Sequence, residues 1–134
     1  MKSKSSNGAL YVLAGAIVLA ALIVVWGGNS QSGVTETPSV ENVTVENGKQ
    51  VVILSAKGGF QPRYTLAKAG VPTILRVDTN GTYDCSSSVR IPSLRIGKNL
   101  PATGTTDIDL GISKEGRLDG TCGMGMYPFR IKFE

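Results

Sequence analysis

The polar and apolar positions divide the chain into three regimes. Residues 9–26, ALYVLAGAIVLAALIVVW, run without a charged side chain. As a helix this stretch would span about 27 Å, close to the hydrocarbon thickness of a bilayer. Tyr11 and Trp26 stand near its two ends, where amphipathic rings favour the membrane interface. The pattern predicts a single N-terminal transmembrane helix. A polar tail, residues 1–8 with Lys2 and Lys4, precedes it and predicts a cytoplasmic N-terminus with everything downstream outside the cell membrane. A cleaved signal peptide is the rival reading, but no Ala-x-Ala site follows the apolar run. Residues 27–49 are rich in Gly, Ser, Thr, Asn and Glu and predict a flexible linker. Val40, Val43 and Val45 in that stretch would suit a short strand.

From residue 50 to residue 134 the pattern is that of β structure. Val51–Leu54 is a continuous β-branched and aliphatic run, as in a strand covered on both faces. Tyr64–Ala67 follows a Gly58-Gly59 break. Thr73, Leu75 and Val77 alternate with polar positions, as do Thr106, Ile108 and Leu110. Val89–Ile91 stops at Pro92. The last strand alternates most cleanly, with Phe129, Ile131 and Phe133 on one face and Arg130, Lys132 and Glu134 on the other. No window here has a helical period. About seven short strands, separated by Gly and Pro turns, predict an all-β fold, an antiparallel Greek-key β-sandwich. Phe60 and Phe129 are candidate core residues.

Composition narrows the chemistry. The chain has 134 residues and a formal charge of +4, from 14 basic and 10 acidic side chains. The basic residues are scattered without aromatic interleaving, which argues against nucleic acid as a partner. There is no histidine. That excludes a Ser-His-Asp triad, a His-ligated zinc and a His2Cys copper site. The carboxylates Asp84, Asp107, Asp109 and Asp119 form no acid–base pair recognisable from sequence, so the chain is not expected to be an enzyme.

What remains is sulfur. Cys122-Gly123-Met124-Gly125-Met126 holds one of two cysteines and two of three methionines. Thiolate and thioether are soft donors that select Cu(I) over zinc, magnesium or calcium. The other cysteine, Cys85, also lies at a strand end, and strand ends can gather at one pole of a sandwich. Cys85, Cys122, Met126 and, as a weaker or alternate ligand, Met124 are the candidate metal ligands. Two alternatives stay open. Cys85 and Cys122 would equally form a disulfide staple in a metal-free structural or adhesion domain, and the methionines would equally be core fillers before the last strand. Tyr83 and Tyr127 flank the cysteines as candidate walls of the site. Asn42-Val43-Thr44 and Asn80-Gly81-Thr82 match the glycosylation pattern.

Gly59-Phe60-x-Pro62, then Ala69-Gly70-Val71-Pro72 before a strand, then a Cys-containing loop feeding the last strand, resemble a cupredoxin-like domain of extracytoplasmic type. The resemblance covers residues 50–134. It implies that Cys85 stands where the family has its upstream histidine. Cys122 would match the loop cysteine and Met126 the loop methionine, with Met124 near the position of the loop histidine. Both family histidines are absent from this sequence. The variant Cys…Cys-Gly-Met-x-Met resembles domains of bacterial metal-handling proteins. The resemblance implies a copper-binding protein of the trafficking or storage kind, anchored to the membrane and exchanging metal with a donor or acceptor protein. Copper electron transfer is a third reading, disfavoured by the missing imidazoles. The oligomeric state is not legible. The anchor is checked by N-terminal analysis of the cell-derived protein. It should retain Lys2 and Lys4, and a mature chain beginning near Asn29 would contradict the prediction.

Overall fold

A computed structural model describes residues 11–12, 14–18 and 37–134. The chain divides into two compact units, residues 1–35 and 36–134. In the first unit, residues 11–12 and 14–18 are helical. No helix among the described residues is long and apolar enough to cross a membrane. The span predicted over residues 9–26 otherwise lies outside the described residues.

The second unit has ten strands, and its first sheet is the larger. In it β1 (Val43–Glu46), β2 (Lys49–Ala56), β5 (Pro72–Asn80) and β8 (Thr103–Ile112) lie side by side in that order, with the short β3 (Phe60–Gln61) also on β2. The second sheet is β4 (Tyr64–Ala67), β10 (Phe129–Phe133) and β9 (Gly116–Gly120), in that order. A backbone bridge between Arg90 and Thr121 extends it to the β6–β7 hairpin, Ser88–Ile91 with Ile96–Asn99. The alternating residues of the two sheets meet in one core: Val52, Leu54, Leu75, Val77, Ile108 and Leu110 face Leu118, Phe129, Ile131 and Phe133. Phe60 and Phe129 pack edge to face with ring centres 5.0 Å apart.

The inward faces of β5, β8 and β10 are those the alternation predicts. Gln50, Val51 and Val52 are buried in succession, as expected of a doubly covered strand. The expectation of a purely antiparallel sandwich is corrected, because β2 pairs with β5 and β4 with β10 in parallel. Those pairings join distant segments, and side-chain alternation is blind to strand direction. Pairing also begins within the stretch read as a linker. Ser39 bridges to Thr65, and the short strand read at Val43 and Val45 forms as β1. The Asn42 amide donates to the Ile53 carbonyl at 3.0 Å and to Thr65 Oγ1 at 2.9 Å, so this side chain links the two sheets rather than pointing to solvent.

One turn positions the segment that follows β5. Cys85–Ser87 form a single 3-10 turn capped by Asp84. Asp84 Oδ1 accepts from the Ser86 N–H at 2.7 Å and from the Ser86 hydroxyl, and Oδ2 accepts from the Gly58 N–H at 2.6 Å. The Ser86 hydroxyl bond is the largest of the influences that hold the Asp84 carboxyl below its ordinary range. The two N–H bonds and the charge of Lys57 act in the same direction, against desolvation.

Two predictions follow from these contacts. Ile131 is fully buried, and an unpaired carboxylate there costs several kcal/mol, a large share of a small domain's stability. Ile131→Asp should therefore abolish cooperative unfolding, and a melt within a degree or two of the parent would overturn the inward assignment. For Asp84 the folded pKa lies below the unfolded one. Its contribution is thus present above about pH 4 and is lost as pH falls through the folded value. Asp84→Asn keeps an acceptor at the cap and removes the charge, so it should lower stability at neutral pH. In denaturant melts that difference should shrink toward zero with acidification, and a pH-independent difference would show that the charge is not its source.

Candidate metal centre

Cys85 enters the site from the capped 3-10 turn after β5, and Cys122 from the loop after β9. Loop residues 121–128 are folded back on themselves. The Cys122 N–H donates to the Tyr127 carbonyl at 3.3 Å, and the Gly125 N–H to the Cys122 carbonyl at 3.0 Å. Gly125 has φ +77°, a conformation that suits glycine and turns the chain between the two methionines. Thr121 exchanges both backbone hydrogen bonds with Arg90, at 2.8 and 2.9 Å, which anchors the loop's start to β6. Gly123 must be small, since a Cβ there would run into the Ser88 hydroxyl. That hydroxyl accepts from the Gly123 N–H at 3.0 Å and donates to the Cys85 carbonyl at 3.4 Å. Ser88 thus ties the two cysteine segments together through their backbones.

The two cysteines meet. Their Cα atoms are 5.5 Å apart and their sulfurs are joined as a disulfide. Cys122 is fully buried and belongs to the core, while Cys85 is half-buried at its edge. The Met124 N–H points at Cys85 Sγ, 3.4 Å away. Met124 and Met126 are 80% and 58% exposed. They are therefore not core fillers, and the loop presents both side chains to solvent beside the cysteine pair. Tyr127 is half-buried, with its ring over Gly59, whereas Tyr83 is 85% exposed and walls nothing. Among the described residues no cluster of three or more His, Cys, Asp or Glu could hold a metal.

The charge around the sulfurs is mixed. Asp84 is the neighbouring acid, and its carboxylate is occupied by the hydrogen bonds already described. Arg90 approaches the loop, with Nε 4.0 Å from the position a Gly123 Cβ would take. A cleft of about 450 Å3 borders the loop at Gly125 and Pro128 and continues along Pro92, Arg117, Asp119 and Thr121. No sulfur lines it, so the candidate centre is a surface site and not a pocket. Two positioning residues escaped the sequence reading, Asp84 and Ser88. Asp84 two residues before Ser86 is a capping pattern carried by the local sequence. Nothing in the local sequence marks Ser88, whose contact crosses to Gly123.

No functionally curated protein matches the chain. Solved structures share its fold, and two of them are copper proteins. One is the metal-binding domain of the Cu(I)-exporting P-type ATPase CopA of Streptococcus pneumoniae, with Cu(I). It is 18% identical, with a TM-score of 0.64, over 73% of this chain and 98% of that one. The other is a copper-binding protein in its apo form, solved in solution. It is 21% identical, with a TM-score of 0.66, over 74% of this chain and 99% of the other. A family model for the cupredoxin-like domain matches residues 16–132. This match, the two-sheet sandwich and the cysteine loop feeding the last strand agree, and the chain belongs to the cupredoxin-like domain family.

Proposed function

We propose that this chain is a membrane-anchored, extracytoplasmic protein that binds Cu(I) for trafficking or storage. The observation that carries this reading is the meeting of Cys85 and Cys122 at one pole, with Met124 and Met126 exposed on the same loop, in a chain without histidine. The donor set suits the cargo. Two thiolates and one or two thioethers satisfy a soft, low-coordinate cation, and they offer little to Mg(II) or Ca(II). The two copper-binding structures of the same fold support the reading. The disulfide is the oxidised form of the pair, and tight Cu(I) binding requires both thiols free. A dithiolate with one Cu(I) carries one negative charge. The N–H of Met124 and the nearby guanidinium of Arg90 lie where they would offset it. The exposed methionines face a partner rather than the core, as transfer to a donor or acceptor protein at the membrane requires.

A second reading rests on the same bond. Cys85–Cys122 closes a loop with a sequence separation of 37, which would stabilise a small sandwich by roughly 3–4 kcal/mol. In that reading the domain is a stapled structural or adhesion module and the methionines are incidental.

The readings separate in a competition titration of the reduced full-length chain with Cu(I) and a chromophoric chelator, without oxygen. Cu(I) should be taken up and should protect both thiols from alkylation. Cys85→Ser and Cys122→Ser should each abolish tight binding. Met126→Leu keeps side-chain volume and should leave the melt unchanged while lowering affinity by more than about tenfold, ~1.4 kcal/mol. If the reduced chain takes up no Cu(I) while reduction lowers its melting temperature, the staple is the function of the pair.

A further inference from the structure

We infer that the reduced cysteine pair also acts as a stoichiometric reductant of Cu(II), converting cupric ion to the cuprous ion that the methionines then hold. The inference rests on the proposed copper reading and adds an electron-transfer step to it. Its basis is that the backbone contacts holding the two cysteines do not involve the bond between them. Asp84 fixes the Cys85 turn through Gly58 and Ser86. The Tyr127 carbonyl and the Arg90 bridge fix Cys122, and Ser88 joins the two segments. With the sulfurs joined the Cα atoms stand 5.5 Å apart, inside the range a disulfide requires, and the contacts named above remain when the bond is reduced. Two thiols presented at that separation need no rearrangement to join.

The surroundings suit the step. The Met124 N–H points at Cys85 Sγ, 3.4 Å away, so the backbone approaches this sulfur directly. The site has no imidazole with which to stabilise Cu(II). The step balances. Each thiolate loses one electron, the two sulfurs form one bond, two Cu(II) ions become two Cu(I), and the two thiol protons pass to water. Met124 and Met126 take no part in the new bond and remain exposed, so soft donors survive the oxidation. The two sulfurs are unequal. Cys85 is half-buried and Cys122 fully buried. An incoming small thiol that resets the pair must attack Cys85 and release Cys122 as thiolate.

The test uses the full-length chain in detergent, reduced, freed of reductant and held without oxygen. Cu(II) sulfate is added and three quantities are followed: Cu(I) by a cuprous-specific chelator, free thiols by alkylation, and intact mass. The inference predicts two Cu(I) formed and two thiols lost per chain, with a mass lower by two hydrogens and no covalent dimer. Cys122→Ser leaves the accessible Cys85. It should yield one Cu(I) per chain and disulfide-linked dimers. Cys85→Ser leaves only the buried sulfur and should react at least tenfold more slowly. Met124→Leu with Met126→Leu should lower the copper retained by the oxidised chain. Cu(II) bound with both thiols intact would overturn the inference, as would thiol loss through dimerisation of the parent. Adding Cu(I) directly separates this step from the binding reading. Uptake of Cu(I) by a chain whose thiols survive Cu(II) would sink the reduction and leave the binding standing. Reduction of Cu(II) by a chain that cannot hold Cu(I) against the chelator would do the reverse.

Discussion

The Gly58–Gly59 turn between β2 and β3 is the contact on which the sulfur pole depends. Its first N–H is held by the Asp84 carboxylate and its second approaches the Ser86 hydroxyl, so the turn fixes the segment that carries Cys85. The ring of Tyr127 lies over Gly59, and the Tyr127 carbonyl receives the Cys122 N–H, so the same turn supports the other cysteine. Gly59 has φ +124°, in the region that favours glycine. One short break in a strand thus sets the separation of two residues far apart in sequence. Everything chemical about the domain depends on that separation, whether the sulfurs join each other or share a metal.

The rest of the fold makes the turn dependable. β2 is the central partner of β1, β3 and β5, and its buried residues reach across to β10. The Cys122 loop ends in β10, whose Phe129 closes over Gly120. A Cβ on Gly120 would strike the Phe129 ring, so the strand leaving the loop packs directly on the strand entering it. The rigid parts therefore surround the cysteines. The methionines are on the part of the loop that projects into water. A rigid dithiol beside exposed thioethers is an arrangement that can hold a soft cation and still present it to a partner.

Much of this was legible in the residues. Wherever one face of a strand is buried and the other wet, alternation exposes it. Phe129, Ile131 and Phe133 were thus placed inward correctly, as were Thr73, Leu75 and Val77. The aliphatic run at Val51–Leu54 announced the covered strand. The cupredoxin resemblance rested on the Cys122 loop before the last strand and on the glycine and proline turns, and the family model bears it out. Strand direction was not legible. The parallel pairs β2–β5 and β4–β10 arise from packing between remote segments, and period-two patterns carry no sign of it. Leu118 has no apolar partner two residues on along β9, because that inward position is Gly120, where a side chain would collide with Phe129. The tie from Ser88 to Gly123 was invisible for the same reason, since it joins residues that only the finished fold brings together.

The central claim is that this histidine-free cupredoxin-like domain holds Cu(I) through sulfur. Copper K-edge X-ray absorption on the reduced full-length chain, loaded anaerobically with one equivalent of Cu(I), tests it most directly. The account predicts an inner coordination sphere of sulfur alone, with the sulfur count falling when Met126 is replaced by leucine. Copper bound through nitrogen or oxygen, or a spectrum unchanged when Cys85 and Cys122 are joined before loading, would contradict it.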